Sequence, residues 1–74
     1  MNNFMKELSN AECLRAGYEG GKELDRRTIE EQQRLKHLST VELAALFIVR
    51  NTTLHPANTT DRAIADLIKT RLDP

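Results

Sequence analysis

The segment from about residue 10 to residue 36 most constrains the fold, because its apolar and charged residues separate onto two sides of a helix. A helix of that length extends about 40 Å at 1.5 Å per residue. A stripe this long, with gaps at Gly17 and Gly21, is shaped to receive another helix. The stripe contains Leu14, Gly17, Tyr18, Gly21, Leu24, Thr28, Ile29 and Leu35.

Three glycines interrupt this segment, and each costs about 1 kcal/mol relative to alanine inside a helix. Gly17 and Gly21 fall on the stripe, whereas Gly20 points to the charged side. A break at Gly20–Gly21 that turns the chain is one interpretation. We favour one continuous helix, because the two sides stay in phase across the glycines, and the missing side chains at Gly17 and Gly21 would let a partner helix approach closely.

Two capping boxes predict where helices begin. Ser9 is followed three residues later by Glu12, and Ser39 by Glu42. At this spacing, the side chain of each residue in a pair can accept a hydrogen bond from the backbone N–H of the other. The second box opens a helix at about 40–50 that is apolar nearly all round. Such a helix is expected in the centre of a core, contacted from several sides. In so short a chain, part of that cover would come from a second copy.

A third helix is predicted at about 60–72, capped by Asn58 or Thr59. Its buried side repeats at helical spacing through Ile64, Leu67, Ile68 and Leu72. No segment alternates with period two, so no strand is expected. The predicted fold is all-α: one long amphipathic helix at about 10–36 and two shorter helices at about 40–50 and 60–72, a small bundle completed by dimerisation.

Length and composition limit the classes of protein. Seventy-four residues, 39% of them apolar, allow a single small domain over 1–74, with a lead-in at 1–8 and a loop at 51–59. Eleven basic and eleven acidic residues give zero net charge, which disfavours binding to nucleic acid by bulk charge. One cysteine, no signal-peptide pattern and no membrane-length apolar run predict a soluble cytoplasmic protein.

Catalytic and metal-binding patterns are lacking. His37 and His55 have no partner at i+3 or i+4, and Cys13 has no histidine nearby in sequence. There is no phosphate-binding glycine motif and no nucleophile-elbow motif. We therefore expect no enzyme activity, no cofactor and no metal site.

Helix-mediated assembly remains as the leading functional prediction. We expect a non-catalytic protein–protein interaction module that forms a homodimer. A heterologous protein partner is the other possibility for this module. By size and lack of chemistry alone, it would be a small regulatory or inhibitory protein of the bacterial or phage-accessory type. The residues predicted at the interface are Leu14, Gly17, Tyr18, Gly21, Leu24, Thr28 and Ile29.

A DNA-binding regulator is the alternative. The second and third helices follow each other as in a helix-turn-helix, with Arg62, Lys69 and Arg71 on the candidate recognition helix. The connector of about nine residues is longer than the three or four of that motif. Asp61, Asp66 and Asp73 would also face the phosphates. We expect an ordinary packed helix here.

Overall fold

The structure is a computed structural model that describes residues 4–73, and over that range it has five helices and no strand. The first three residues of the predicted lead-in, and Pro74, lie outside the described residues. The predicted all-α class is confirmed. The helices are α1 Phe4–Glu7, α2 Asn10–Arg15, α3 Gly17–Leu35, α4 Thr40–Val49 and α5 Thr59–Leu72.

The predicted long helix is divided in two, so its continuity over 10–36 was wrong. The break lies at Ala16 and Gly17, not at Gly20–Gly21, which are inside α3. Gly17 has φ +73°, the left-handed conformation that commonly follows the last residue of a helix. That conformation carries no steric cost for glycine, so α2 ends there and the chain turns into α3.

Both predicted capping boxes are confirmed. Glu12 N donates to Ser9 Oγ at 3.1 Å, and Ser9 N donates to Glu12 Oε1 at 2.8 Å. The Ser39–Glu42 pair repeats this arrangement at 3.0 and 2.9 Å. These bonds fix the first residues of α2 and α4 by local chemistry alone, before any packing between helices.

The remaining helix boundaries also have local causes. Asn58 caps α5, because its Oδ1 accepts from Asp61 N at 3.0 Å. At the end of α4, Asn51 adopts φ 50° and Thr52 N donates to Phe47 O at 3.2 Å. Asparagine tolerates this left-handed conformation, which closes a helix in the same way as glycine.

The core lies where the C-terminal end of α3 meets α4 and α5. Leu35, Leu43 and Ile64, one from each helix, form its buried centre. Four partly buried residues pack around them: Leu38, Leu46, Leu67 and Ile68. Helix α3 packs against α1, α2 and α5, whereas α4 packs mainly against α5.

Helix α4 is therefore at the edge of the bundle, and its predicted central position was wrong. Leu43 is its only buried residue. Because α3 is already packed against α1, α2 and α5, helix α5 provides most of the surface that covers α4 within residues 4–73. None of the helices within residues 4–73 has the length and apolar character needed to cross a membrane.

Candidate interaction surface

An apolar surface with no covering partner among residues 4–73 runs along the outer side of α4. We call Val41, Ala45, Ile48 and Val49 the α4 face. Val41 is 78% exposed, Ile48 76% and Val49 81%, and Ala45 is exposed as well. Their spacing of i, i+4, i+7 and i+8 places all four on one side of a helix. The α4 face is thus a continuous apolar stripe open to solvent.

The orientation of the α4 face follows from how α4 is anchored. Leu43 is fully buried in the core, and at 100° per residue its side chain is directed roughly opposite to Val41 and Ala45. Arg50, just after the helix, donates to the buried carboxylate of Asp61 at 2.6 Å. These two anchors set the rotation of α4, so the α4 face is held outward by the fold.

Apolar surface continues on both flanks of the α4 face. One open groove is lined by Leu38, Glu42, Ala45, Leu46 and Val49. On the other flank, a second open groove is lined by Phe47, Ala65, Ile68, Lys69, Leu72 and Asp73. In the second groove Phe47 and Leu72 are both exposed, so the apolar surface extends beyond the α4 face and onto α5.

Glu42 is the one ionisable residue in the α4 segment Thr40–Val49. Two hydrogen bonds with Ser39 hold the pKa of the Glu42 carboxyl below its ordinary value. The bond from the Ser39 backbone N–H has the larger effect, and the bond with the Ser39 hydroxyl has the smaller one. The carboxylate is therefore charged at neutral pH and is already occupied by the capping box. The α4 face itself carries no charge and no side-chain hydrogen-bonding group.

The interface predicted on the first helix is only partly accessible. Leu24 and Thr28 are buried within the chain, so they were wrong as partner contacts. They are buried because this side of α3 packs against the chain's own helices. Leu14, Tyr18 and Ile29 are exposed, and Lys22 Nζ lies 4.8 Å from the centre of the Tyr18 ring. These three residues remain a predicted contact surface. They lie on two helices, Leu14 on α2 and the other two on α3.

Among the glycines, Gly20 has a position that differs from the prediction. Gly20, expected to point away, is buried, and a Cβ built on it would lie 1.7 Å from the backbone oxygen of Cys13. Gly17 and Gly21 were expected to admit a partner helix, and a Cβ on either would meet nothing within 4 Å. Close backbone packing therefore occurs inside the chain, between α2 and α3 at Gly20.

The predicted DNA contacts do not form one basic surface. Arg62 donates to Pro56 O at 3.2 Å and lies 3.5 Å from Asp25 Oδ1. Arg71 donates to Lys36 O at 2.6 Å and also to Leu38 O, so it caps the end of α3. Lys69 lines the groove beside Phe47. Nine residues separate Arg62 from Arg71, which places them on opposite sides of α5.

The single cysteine and the two histidines have local contacts of their own. Cys13 is fully buried, with Sγ 3.8 Å from Met5 O. His37 and His55 are exposed, and His55 Nδ1 accepts from Ala57 N at 3.1 Å in its own loop. In the part of the chain that the structure describes, no three His, Cys, Asp or Glu side chains are grouped so that they could hold a metal ion.

The apolar character of the second predicted helix is the sequence signal for the α4 face. The segment Thr40–Val49 is apolar on nearly every side, a pattern that predicts burial partly from outside the chain. Its packed side could not be chosen from the sequence, because an all-apolar helix has no polar face to mark the solvent. The structure makes that choice through Leu43 and leaves the α4 face uncovered.

Comparisons with protein-family models, with curated proteins and with solved structures give no match to this chain.

Proposed function

We propose that this protein is a non-catalytic interaction module that binds another protein surface through the α4 face. The observation that carries the proposal is the exposure of Val41, Ile48 and Val49 on a helix whose opposite side is locked into the core. Large contiguous apolar patches are uncommon on monomeric proteins and mark contact sites. By its small size, the chain would serve as a regulatory or inhibitory protein that acts by assembly.

The shape of the surface favours a protein partner over a small molecule. Small-molecule sites are concave and combine apolar walls with a few convergent polar groups. The α4 face is the convex side of a helix, and the polar group nearest to it, the Glu42 carboxylate, is engaged by Ser39. A convex apolar helix is the shape that fits between the helices of a partner.

The charge of α4 favours a protein partner over a lipid surface. Helices that lie on membranes carry lysine and arginine beside their apolar side, which attract anionic headgroups. The segment Thr40–Val49 has neither, and its one charge is the negative Glu42. Contact with anionic lipid would bring that carboxylate toward like charge.

Site-specific photocrosslinking in the source cell tests this function. A photoreactive amino acid at Ala45, in the middle of the α4 face, is compared with the same residue at Gln33, which is exposed on α3. We expect protein crosslinks from position 45 and none, or far fewer, from position 33. Equal crosslinking at the two positions would contradict the proposal.

A further inference from the structure

We infer that the surface covering the α4 face is a second copy of this chain, with the two α4 helices packed antiparallel about a two-fold axis near Ala45. This inference rests on the proposed function and adds the identity of the partner. Three properties of α4 support it: the lack of charge on its face, the position of its small residues, and the position of Glu42.

The lack of charge makes the α4 face complementary to itself. A two-fold interface places the same patch of both subunits in contact, so a charged patch would meet its own charge. Val41, Ala45, Ile48 and Val49 carry none, so pairing opposes no like charges and buries no unpaired polar side chain. A partner of opposite charge, by contrast, would find nothing on this face to recognise.

The small residues define where two copies would cross. Ala44 and Ala45 stand at the middle of Thr40–Val49, where a short side chain allows the closest approach of two helix axes. Around a two-fold axis at Ala45, an antiparallel arrangement places Val41 of each copy opposite Val49 of the other. The larger side chains then fill the space on either side of the alanines.

The position of Glu42 selects the antiparallel direction. In a parallel pair, the two charged Glu42 carboxylates would lie side by side at the edge of the interface. In an antiparallel pair crossing at Ala45, they are separated by six residue steps, about 9 Å along the axis. The helix dipoles also oppose each other in that arrangement, which is the favourable direction.

The available area predicts a weak dimer. Val41, Ile48 and Val49 are the large exposed side chains of the α4 face, and a side chain of this kind buries on the order of 100 Å². Together they offer on the order of 300 Å² per copy, against about 800 Å² per partner in a standard stable interface. We therefore expect weak association, with dissociation constants of roughly 0.1–1 mM.

Sedimentation equilibrium of the full chain up to about 1 mM is the first test, at concentrations chosen to cross this range. We expect the mass to rise from 8.4 kDa toward twice that value. Ala45→Arg places a charge at the crossing point and should weaken association at least about tenfold. Ile29→Arg is the matched control, since Ile29 is also an exposed apolar residue, but on α3, and should leave association unchanged. Circular dichroism of each variant at dilute, monomeric concentration checks that it is folded.

Disulfide trapping tests the direction of packing. Val41→Cys and Val49→Cys chains are prepared separately and mixed, with the fully buried native Cys13 retained. Antiparallel packing should give the mixed 41–49 disulfide as the main product. Like-with-like products, 41–41 and 49–49, would instead show a parallel pair and overturn the arrangement proposed here.

Failure of the inference can be told apart from failure of the proposed function. A chain that stays at 8.4 kDa up to about 1 mM overturns the self-pairing. So does dissociation by Ile29→Arg but not by Ala45→Arg, which would assign the interface to the surface around Tyr18. If position 45 then crosslinks to a different protein, the interaction function stands with another partner. If position 45 gives no crosslink, both are wrong.

Discussion

Gly20 of α3 lies so close to Cys13 of α2 that a Cβ added to the glycine would be 1.7 Å from the cysteine's backbone oxygen. The same added atom would be 2.9 Å from the Cβ of Ala16. Helices α2 and α3 thus meet backbone to backbone at this point. The left-handed turn at Gly17 makes that contact possible by folding α2 against the start of α3.

Gly20→Ala is expected to destabilise the fold strongly. The new methyl would collide with backbone atoms, which cannot rotate away as a side chain does, so α2 has to shift from α3. Overpacking of this kind costs about 1–3 kcal/mol and occasionally more, and we expect a value at or above the upper end. The free energy of unfolding, from urea denaturation followed by circular dichroism, measures the loss.

Gly21→Ala is the matched control, one residue further along the same helix. A Cβ there would meet nothing within 4 Å, and alanine is the better helix former by about 1 kcal/mol. We expect this variant to be more stable than the wild type. Equal effects at the two positions would show that helix propensity, and not the contact with Cys13, determines the role of Gly20.

The glycines also show what a helical periodicity can and cannot predict. The period of 100° per residue describes side chains around one axis, and it correctly kept Gly20 and Gly21 inside a helix. The break at Gly17 starts a second axis, so Leu14 and Tyr18 do not share a stripe. The sequence alone does not distinguish a glycine that is needed for a left-handed φ, such as Gly17, from one that is needed for close packing of two helices, such as Gly20.

Local signals were predictable and long-range ones were not. The pairs Ser9–Glu12 and Ser39–Glu42 bond across three residues, so their spacing in the sequence determines their geometry. The burial of Leu24 and the exposure of Ile48 depend on which helices pack against each other. That packing joins segments far apart in the chain, and the local sequence pattern does not determine it. For that reason the helix boundaries were predicted closely, whereas the exposed apolar face of α4 was not.

The side chain of Arg27 holds α1 against the rest of the chain, and its loss should release that segment. Its guanidinium donates to Leu8 O at 2.7 Å, Met5 O at 3.1 Å and Asn10 Oδ1 at 2.7 Å. It thereby satisfies carbonyls left open at the end of α1. Arg27→Met keeps the apolar stem, and we expect a loss of about 2 kcal/mol, because charged hydrogen bonds are removed.

Amide hydrogen exchange distinguishes this local release from general destabilisation. Residues 4–8 should exchange faster in Arg27→Met than in the wild type, with little change in α5. Arg34→Met serves as the control, because Arg34 is exposed and pairs with Glu31 at the surface. Such pairs contribute about 0–1 kcal/mol. Unchanged exchange in α1 would show that Arg27 does not anchor it.

Asp61 fixes the loop between α4 and α5, so Asp61→Asn is expected to loosen both the loop and the rotation of α4. Its carboxylate is 2% exposed and accepts from Arg50 Nε at 2.6 Å, Asn58 Nδ2 at 2.8 Å and Thr53 N at 3.2 Å. The amide cannot accept all of these bonds, and its NH₂ would face other donors. We expect a loss of about 2–3 kcal/mol in the free energy of unfolding.

Asp66→Asn makes the same chemical change on the exposed side of α5. Asp66 has a long contact of 3.4 Å with Gln32 Nε2 and is open to solvent. Surface substitutions of this kind usually stay within about 0.5 kcal/mol. Thermal unfolding of the two variants compares them directly, and a similar midpoint shift for both would contradict the anchoring role of Asp61.

Acid should destabilise the protein through its two capping boxes. At each box, the glutamate is bonded to the backbone N–H of the serine and, with a smaller effect, to the serine hydroxyl. These bonds hold the pKa of Glu12 and the pKa of Glu42 below the ordinary value for glutamate. A lowered folded-state pKa means that the folded chain binds protons less readily than the unfolded chain. The stabilisation is therefore present above the ordinary glutamate value of about 4.3 and is lost as the pH falls through it and below.

Replacing both glutamates by glutamine should flatten this acid dependence without destroying the caps. Glutamine can still accept from the serine N–H, but it does not titrate. We expect the wild type to be the more stable protein at pH 7 and its advantage to shrink by pH 3, as measured by urea denaturation across that range. Glu19→Gln, an exposed change on α3 away from both boxes, controls for the lost charge. An advantage that is the same at both pH values would mean that the boxes act only as neutral hydrogen-bond acceptors.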